Sequence, residues 1–428
     1  FPQVQKGPWR GDQGAQEVSG GRRTMANLRD WWAGMMGRIA PMDAWRKLAI
    51  YAVLTLVIYG SMIVVDEAFL VSAIDPDLTH PDLDVYRERT QVILDGGLLY
   101  RDTPHATQTP PIINLLLVPP MLFGGAELDW VWSVYFSMFA FLLAALMYLS
   151  MRHMDEMKAF LAGGVVLLSP YTIVESGTAQ DESIVAFVFM LAVVLMFLKR
   201  RDAASAAIGV GIWTKMFPIL LAPIHILHQR EWKGQMRSLL IFGAVTAMIT
   251  LPFIILCWDD FSFFLNFYFL GEDERPTGGH SIWHFLRMGG YVLPSYLQTA
   301  LLGGALAFAY LYPYHRRLPV WQSVIIMLMA FFIFYPKIHG GYWIMLVAML
   351  SIWAAQDIRI WTRITFAFLP MILATLFAEG EGTAPPMEFY GSWLLGFFLA
   401  LVGLLLFVDA FRLALRQPQM LSPVRVCD

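Results

Sequence analysis

Long apolar runs separated by short polar stretches dominate the chain. A run of about 17–25 apolar residues is long enough for an α-helix to cross the hydrocarbon core of a membrane. The pattern therefore predicts an all-α polytopic membrane protein. The candidate crossings are residues 47–65, 129–150, 158–175, 183–199, 238–257, 291–312, 319–336, 341–355, 361–378 and 390–411.

Two further apolar segments fit a simple crossing poorly. Residues 111–124 are short and contain Pro119 and Pro120, so we expect an interfacial or re-entrant helix there. Residues 203–228 are interrupted by "TKMFP", which predicts two short helices that meet at Thr214 to Pro218. With these assignments the chain has about twelve transmembrane helices, and juxtamembrane helices lie in its first outer loop.

The positions of Lys and Arg orient these helices. With both termini on one side, every basic cluster falls on that side, which the positive-inside rule identifies as cytoplasmic. We expect a cytoplasmic segment at 1–46, whose residues 1–24 have the character of an upstream fragment. A transmembrane catalytic domain follows at 47–413, with an extracytoplasmic loop at 66–128, and then a short cytoplasmic tail at 414–428. The compact organisation favours a plasma membrane.

Composition excludes several other classes of protein. The chain is 57% hydrophobic and 15% charged, with a mean hydropathy of +0.56 and a net charge of −3, so no general basic field favours nucleic acid. Its two cysteines, Cys257 and Cys427, have no metal-ligand spacing. There is no phosphate loop and no dinucleotide-binding glycine motif. An activated substrate would therefore have to arrive through the membrane.

The outer loop carries an acidic motif, "HPDLDVYRERTQVILDGG". Pro81 suits the start of a surface helix, and Gly96 and Gly97 suit its end. Asp82 and Asp84 point the same way only if the entry to this helix is extended. The two carboxylates either cap the helix or supply a catalytic base and a site for a divalent metal ion such as Mg or Mn.

Other charged residues on the same face are candidates for substrate binding. Asp181 and Glu182 precede a predicted transmembrane helix and either complement its positive end or orient a sugar hydroxyl. Lys215 lies at the turn between two half-helices, where an ammonium either binds phosphate or extends to the interface. Tyr100 is either an interfacial anchor or a substrate contact.

A second basic group follows later in the chain. Lys337 and His339 occupy a tight outer turn in "YPKIHGGYW", which is either a solvated turn or part of the site. Arg275, His280 and Ser281, in "DERPTGGHSIWHFLR", would add phosphate contacts. Cations are scarce on this face, so their position near apolar helix ends suits an anionic lipid head group.

The ordered set of motifs resembles the GT-C superfamily of polytopic glycosyltransferases, and within it the polyprenyl-phosphate-mannose-dependent mannosyltransferases. The resemblance begins with "DLDVYRERTQVILDGGLLYRD" and "QTPPIINLLL". It continues through "GTAQDESIV", "GIWTKMFPILLAP", "HSIWHFL" and "YPKIHGGYW", and covers most of residues 47–378. "AQDES" only approximates the family pattern, and "HGGYW" lacks a polar residue that often precedes its Tyr.

The resemblance implies an inverting transfer of mannose or another hexose from a polyprenyl phosphate to a hydroxyl of a lipid, glycan or protein acceptor. Asp84 would be the catalytic base, and Asp82 would orient the acceptor or a metal ion. Lys215 and Lys337, with Arg275 or His280, would stabilise the departing phosphate. A transporter or a flippase for lipid-linked sugars is the alternative, since interrupted helices and intramembrane charges suit that class as well. A third possibility is another membrane transferase of the O-antigen-ligase kind, which would depend more on outer arginines and a histidine.

Overall fold

A computed structural model describes most of the chain. The described residues are 30–31, 33–70, 82–105, 107–269, 278–279, 281–288, 290–354, 369–370, 373 and 393–416. Contacts divide the chain into two units, Phe1–Ile50 and Tyr51–Asp428. In the first unit, residues 33–39 are helical and a second helix begins at Ala44. The second unit contains every candidate site residue.

Helices make up nearly all of the described structure. The helices of the amino-terminal half are α1 Ala44–Leu54, α2 Gly60–Val65, α3 Leu83–Leu94, α4 Pro111–Leu116, α5 Val118–Pro120, α6 Asp129–Met151, α7 Glu156–Leu167, α8 Pro170–Gly177 and α9 Glu182–Phe197. Those of the carboxy-terminal half are α10 Arg201–Ile212, α11 Leu221–His228, α12 Trp232–Leu256, α13 Trp258–Phe269, α14 Ile282–Met288, α15 Ser295–Arg316, α16 Val320–Phe334, α17 Trp343–Ala354 and α18 Trp393–Arg416.

Shorter elements join some of these helices. Turns of π-helix follow α1, α2 and α5 at Thr55–Tyr59, Asp66–Leu70 and Met121–Gly125, and 3-10 turns precede α11 and α17 at Phe217–Leu220 and Gly340–Tyr342. Two strands of two residues each, β1 Gly278–Gly279 and β2 Lys337–Ile338, pair in parallel. This pairing brings together two segments that are distant in sequence.

The described helices include fewer full-length spans than the twelve crossings that the sequence predicts. Four are long and apolar enough to cross a membrane, Ala44–Phe69, Asp129–Met151, Trp232–Leu256 and Leu394–Arg416, and α7 with α8 makes a fifth if the bent pair is one span. Five shorter apolar helical segments accompany them within the described residues. Helical membrane architecture is confirmed, whereas the number of crossings is not.

Several predicted segments differ in detail from the observed helices. Residues 158–175 form two helices, α7 and α8, that bend by 49° at a break before Pro170. Residues 203–228 contain the expected interruption, since α10 ends at Ile212 and a 3-10 turn starts at Phe217. Proline has no backbone N–H to donate, and Pro170 and Pro218 lie at the two breaks. The predicted crossing at 361–378 lies almost wholly outside the described residues, as do residues 1–24.

The outer loop is anchored to the helix bundle by an apolar cluster. Its buried members are Leu83, Tyr86, Ile113, Leu117, Trp132, Phe136, Ala179 and Ile184. The ring of Tyr86 lies 5.8 Å from that of Trp132 and 6.2 Å from that of Phe136. Arg87 on α3 donates to the carbonyl of Gly125 at 2.9 Å and forms an ion pair with Asp129. These contacts place the start of α3 beside the start of α9.

A second close contact lies between the first long helix and α7. The hydroxyl of Tyr51 donates to the carbonyl of Phe160, and its ring stacks on the ring of Phe160 with 5.0 Å between centroids. A Cβ atom at Gly163 would lie 2.5 Å from the Tyr51 hydroxyl and 2.6 Å from the carbonyl oxygen of Ala144. Only glycine leaves room for this approach.

We expect Gly163→Ala to lower the free energy of unfolding by about 1–3 kcal/mol, because overpacking at a close contact forces neighbouring atoms apart. The matched control is Gly164→Ala on the same helix, whose nearest neighbour would be Tyr51 Cε1 at 3.9 Å. Alanine is about 1 kcal/mol better than glycine inside a helix, so the control should be neutral or mildly stabilising. Thermal unfolding in detergent measures both, and equal midpoints for the two variants would contradict the packing.

Candidate functional site

A buried ion cluster joins the start of α9 to the turn after α10. The Lys215 Nζ lies 2.9 Å from Asp181 Oδ1 and 2.7 Å from Glu182 Oε1. All three side chains are less than one-fifth exposed. Charges taken out of water are costly unless they are paired, so the three groups stabilise one another only as a set.

The protonation of these groups depends on one another. Burial raises the pKa of the Asp181 carboxyl; Lys215 opposes this effect, and Glu182 adds to it. The two carboxylates, each within hydrogen-bond distance of the Lys215 Nζ, keep this ammonium charged. Lys215 is therefore a fixed cation, and its charge is already shared between two acids. It is less available to bind a phosphate than the sequence suggests.

The tight turn after α16 passes directly over this cluster. A Cβ at Gly340 would lie 2.7 Å from Glu175 Oε1, and one at Gly341 would overlap the side chain of Glu182. The double glycine in "HGGYW" therefore lets the backbone pass between two acidic side chains. Glu182 Oε2 is buried and has no hydrogen-bond partner among the described residues.

The same turn carries a tyrosine and a histidine to the cluster. Tyr342 places its ring 5.7 Å from the Lys215 Nζ, within range of a cation–π interaction. Its ring also contacts Phe217 at 4.5 Å and His339 at 5.2 Å between centroids. Burial, together with the positive charges of Lys337 and Lys215, lowers the pKa of His339 to about 4. His339 is thus neutral at physiological pH.

Lys337 is the cation of this turn that has no ion-pair partner among the described residues. It lies in β2, where its backbone pairs with that of Gly278 in β1, and its side chain is half-buried. The positive charge of Lys337 helps to lower the pKa of His339. The pairing of β1 with β2 therefore holds this ammonium near His339, on which the charge of Lys215 also acts.

Asp82 faces this group from the outer loop. The surrounding protein raises the pKa of Asp82, Asp181 raises it further, and Lys215 and Arg89 oppose the rise. Asp82 is nevertheless exposed to solvent. Asp82 is therefore accessible to water while its charge interacts with those of Asp181, Lys215 and Arg89. Such a position suits a carboxylate that exchanges a proton with a bound molecule.

Asp84 has a different environment. Asp82 has helical backbone angles, φ −97° and ψ −11°, and Asp84 lies in the first turn of α3, so the extended entry required for a convergent pair is not observed. The side chain of Asp84 is 87% exposed, and its Oδ1 lies 3.5 Å from Arg87 Nη1. The two carboxylates diverge because residues two apart on a helix point in different directions.

This divergence bears on the predicted metal site. Asp82 and Asp84 do not present their oxygens to one point, so they do not fit a shared Mg or Mn ion. The part of the chain that the structure describes contains no group of three or more His, Cys, Asp or Glu residues arranged to hold a metal ion. We derive no chemical step through a metal.

Two other predicted contacts are used in packing. The hydroxyl of Tyr100 donates to the carbonyl of Thr109 at 2.9 Å, and the buried ring lies among three phenylalanines, Phe253, Phe261 and Phe264. Ser281 is buried, and its Oγ donates to the carbonyl of Tyr335 at 3.0 Å. Ser281 thereby fixes the segment that carries β1 beside Lys337. Arg275 and His280 lie outside the described residues.

The structure adds three residues that the sequence did not single out for function. Tyr86 and Arg89 both interact electrostatically with Asp82, and they follow it by four and seven residues on one face of α3. Helical periodicity could have identified this pair. Glu175 contacts the glycine turn across the fold, and no local signal marks it.

Comparison with known proteins gives the class to which this fold and site belong. The structure of ArnT from Cupriavidus metallidurans bound to undecaprenyl phosphate is similar, with a TM-score of 0.50 and 19% identity, over 86% of this chain and 76% of that one. This likeness shows the fold. The chain is a membrane glycosyltransferase of the GT-C type, which confirms the resemblance found in its motifs.

A comparison of the sequence with protein-family models shows the family to which the chain belongs. A family model, glycosyltransferase family 87, matches residues 109–336, just over half of the chain, and the protein belongs to that family. The matched region contains Asp181, Glu182 and Lys215, whereas Asp82 and Lys337 lie beyond its two ends. Family membership decides against the transporter and flippase alternative.

A curated relative is similar over a shorter region. GPI mannosyltransferase 1 of Eremothecium gossypii is 26% identical over 223 residues, which are 49% of this chain and 52% of that protein. The chain thus matches about half the length of this relative.

The buried cluster predicts a specific response to loss of its cation. We expect Lys215→Met to lower the free energy of unfolding by about 3–5 kcal/mol, because two carboxylates remain buried without a counter-charge. Lys215→Met combined with Glu182→Gln should recover part of this loss, since one of the two charges is removed. Unfolding midpoints in detergent measure both variants.

The control for this prediction is Arg237→Met, which removes one partner of the Arg237–Asp202 ion pair, whose side chains are 69% and 50% exposed. An exposed pair contributes about 1 kcal/mol or less. If the double variant is no more stable than Lys215→Met alone, the two carboxylates are not coupled through Lys215.

Proposed function

We propose that the protein transfers a hexose, with mannose the first candidate, from a polyprenyl-phosphate donor to an acceptor hydroxyl at the extracytoplasmic face of the membrane. The observation that carries this proposal is the convergence of Asp82 with Lys215, and of Lys215 with His339 and Lys337, at one end of the helix bundle. A water-accessible carboxylate thus interacts with a group that carries cations.

Two comparisons support the chemistry of the donor and the sugar. The structural neighbour ArnT holds undecaprenyl phosphate, and the relative from Eremothecium gossypii carries the name of a mannosyltransferase. The family assignment supplies glycosyl transfer. A chain without a nucleotide-binding motif suits a lipid-linked donor that reaches the site through the membrane.

Asp82 is the carboxylate that we assign as the base. The surrounding protein and Asp181 raise its pKa, which makes it a better proton acceptor than an ordinary exposed aspartate. Asp84 is exposed and points toward Arg87 and solvent. We therefore assign to Asp82 the role of catalytic base that the family resemblance gives to Asp84.

The reaction proceeds as one displacement with inversion. The acceptor hydroxyl gives its proton to Asp82 as its oxygen forms a bond to the anomeric carbon of the donor. The bond between that carbon and the phosphate oxygen breaks, and its electron pair leaves with the polyprenyl phosphate. Lys337 lies where an ammonium can stabilise the negative charge that gathers on the phosphate. Lys215 contributes chiefly by fixing Asp181 and Glu182, which would orient sugar hydroxyls.

The paired variants Asp82→Asn and Asp84→Asn test the base. We expect Asp82→Asn to lower the rate of transfer by about 10²–10⁴-fold, because asparagine has nearly the same shape and cannot accept the proton. Asp84→Asn should stay within a few-fold of the wild type. The measurement is transfer by purified protein from polyprenyl-phosphate mannose and related donors to a panel of hydroxyl acceptors.

The pH profile provides a second measure of the same assignment. The base must be deprotonated, so kcat/KM should fall as the pH drops through the pKa of Asp82. That pKa is raised, and the fall should therefore occur at higher pH than for an ordinary aspartate. A large loss in Asp84→Asn with none in Asp82→Asn would return the role to Asp84.

Lys337→Met tests the phosphate contact. We expect KM for the donor to rise and kcat to fall, with a combined loss of about 10²–10³-fold, because one stabilising group at a developing charge is removed. Lys337→Arg should keep most of the activity, since it preserves the charge. Donor titrations of the three proteins separate the effects on KM and kcat, and wild-type kinetics in Lys337→Met would exclude a phosphate contact.

A further inference from the structure

A basic recess lies at the end of α10 opposite Lys215. It has a volume of about 630 Å³ and is lined by Lys199, Arg200, Arg201, Asp202, Ala203, Gln229, Glu231, Lys233, Gly234 and Arg237. α10 runs for 12 residues from Arg201 to Ile212, about 18 Å of helix, and Lys215 follows its other end. The recess is therefore separate from the candidate active site and faces the other side of the helix layer.

Positive charge predominates in this recess. Arg237 forms an ion pair with Asp202. Lys199, Arg200, Arg201 and Lys233 have no carboxylate partner among the residues that the structure describes. Five exposed cations and two acids line the recess, so its electrostatic potential favours an anion.

Backbone groups add to this character. α10 and α12 both begin at the recess, and neither N-cap residue, Arg200 or Glu231, caps its helix with a side-chain hydrogen bond. The first N–H groups of a helix have no partner within it, and together with the helix dipole they favour an anion. The amino-terminal ends of two helices thus converge on one cavity.

A buried amide lies in the wall of the recess. Gln229 is 6% exposed, and its Oε1 has no hydrogen-bond partner among the described residues. Its Nε2 donates to Ser238 Oγ at 2.6 Å. A Cβ at Gly234 would lie 2.9 Å from Gln229 Oε1 and 3.7 Å from Arg201 Nη1, so glycine keeps this part of the wall open.

An apolar groove lies beside the recess along the same helices. It measures about 440 Å³ and is lined mainly by Ser205, Ile208, Ile219, Ala222, Pro223, His225, Ile226, Leu227, Ser238, Leu239 and Phe242. Its α10 and α12 residues begin one turn beyond those of the basic recess. Gln229, through Ser238, connects the two linings. A charged cavity followed by an apolar groove matches a head group followed by a hydrocarbon chain.

We propose that the basic recess binds the phosphate of an anionic glycerophospholipid, with an acyl chain in the apolar groove. The lipid belongs to the leaflet opposite the candidate active site. Basic pockets between membrane helices favour such head groups. The positive-inside rule explains an excess of basic residues on one face. It does not explain why two uncapped helix ends and an adjoining apolar groove meet at this recess.

Native mass spectrometry of the full chain in detergent, titrated with phosphatidylglycerol or phosphatidylcholine, tests the proposal. We expect preferential binding of phosphatidylglycerol. Arg200→Gln combined with Lys233→Gln should weaken that binding about tenfold or more, because each cation near an anionic head group contributes about fivefold. The matched control, Arg316→Gln with Arg317→Gln, removes two exposed charges elsewhere and should bind as the wild type does.

Further measurements distinguish binding of the lipid head group from binding of its acyl chain. Ala222→Leu narrows the apolar groove and should weaken phosphatidylglycerol binding without changing the weak binding of sn-glycerol 3-phosphate. Ala307→Leu, on exposed α15 surface, is its control. Equal affinity for glycerol phosphate and for the lipid would identify a free-anion site and overturn the lipid assignment. Equal losses in the two double-charge variants, or no preference between the two lipids, would reduce the recess to general surface charge.

Discussion

The pairing of Lys215 with Asp181 and Glu182 is the interaction on which the architecture of the site depends. A single ammonium with two carboxylates, all largely removed from water, is stable only when the start of α9 and the turn after α10 are held together. The glycine turn before α17 then closes over Glu182. Three segments that are far apart in sequence are thereby fixed around one charge cluster.

This cluster gives the candidate active site two different sides. Its buried acids and Lys215 form a rigid polar floor, whereas Asp82 and His339 are accessible to water although protein surrounds them. A carboxylate in such a place is more basic than one on an open surface, and a nearby histidine stays neutral. The outer loop can hold Asp82 there because Leu83 and Tyr86 are buried against α6 and α9.

The two ends of α9 and α10 lie at two different charged sites, the Lys215 cluster and the basic recess. Glu182 begins α9, and Lys199 follows its other end; Arg201 begins α10, and Lys215 follows it. Two helices of moderate length therefore connect the candidate active site with the basic recess at their other ends. The proposed lipid in that recess would contact the helices whose far ends organise the candidate active site.

The sequence by itself determined the helical membrane class, the glycosyltransferase superfamily, the break in residues 203–228 and the set of charged motifs, because apolar length, proline and motif order are local properties. Only the tertiary structure decided that Lys215 is shared between two acids and that Glu175 contacts the glycine turn. It also distinguished Asp82 from Asp84, which look equivalent in "DLD". The first turn of α3 brings Asp82 under the influence of Asp181 and Lys215 and directs Asp84 into solvent. Burial and electrostatic coupling depend on which distant segments meet, and that is not written in any short stretch of the chain.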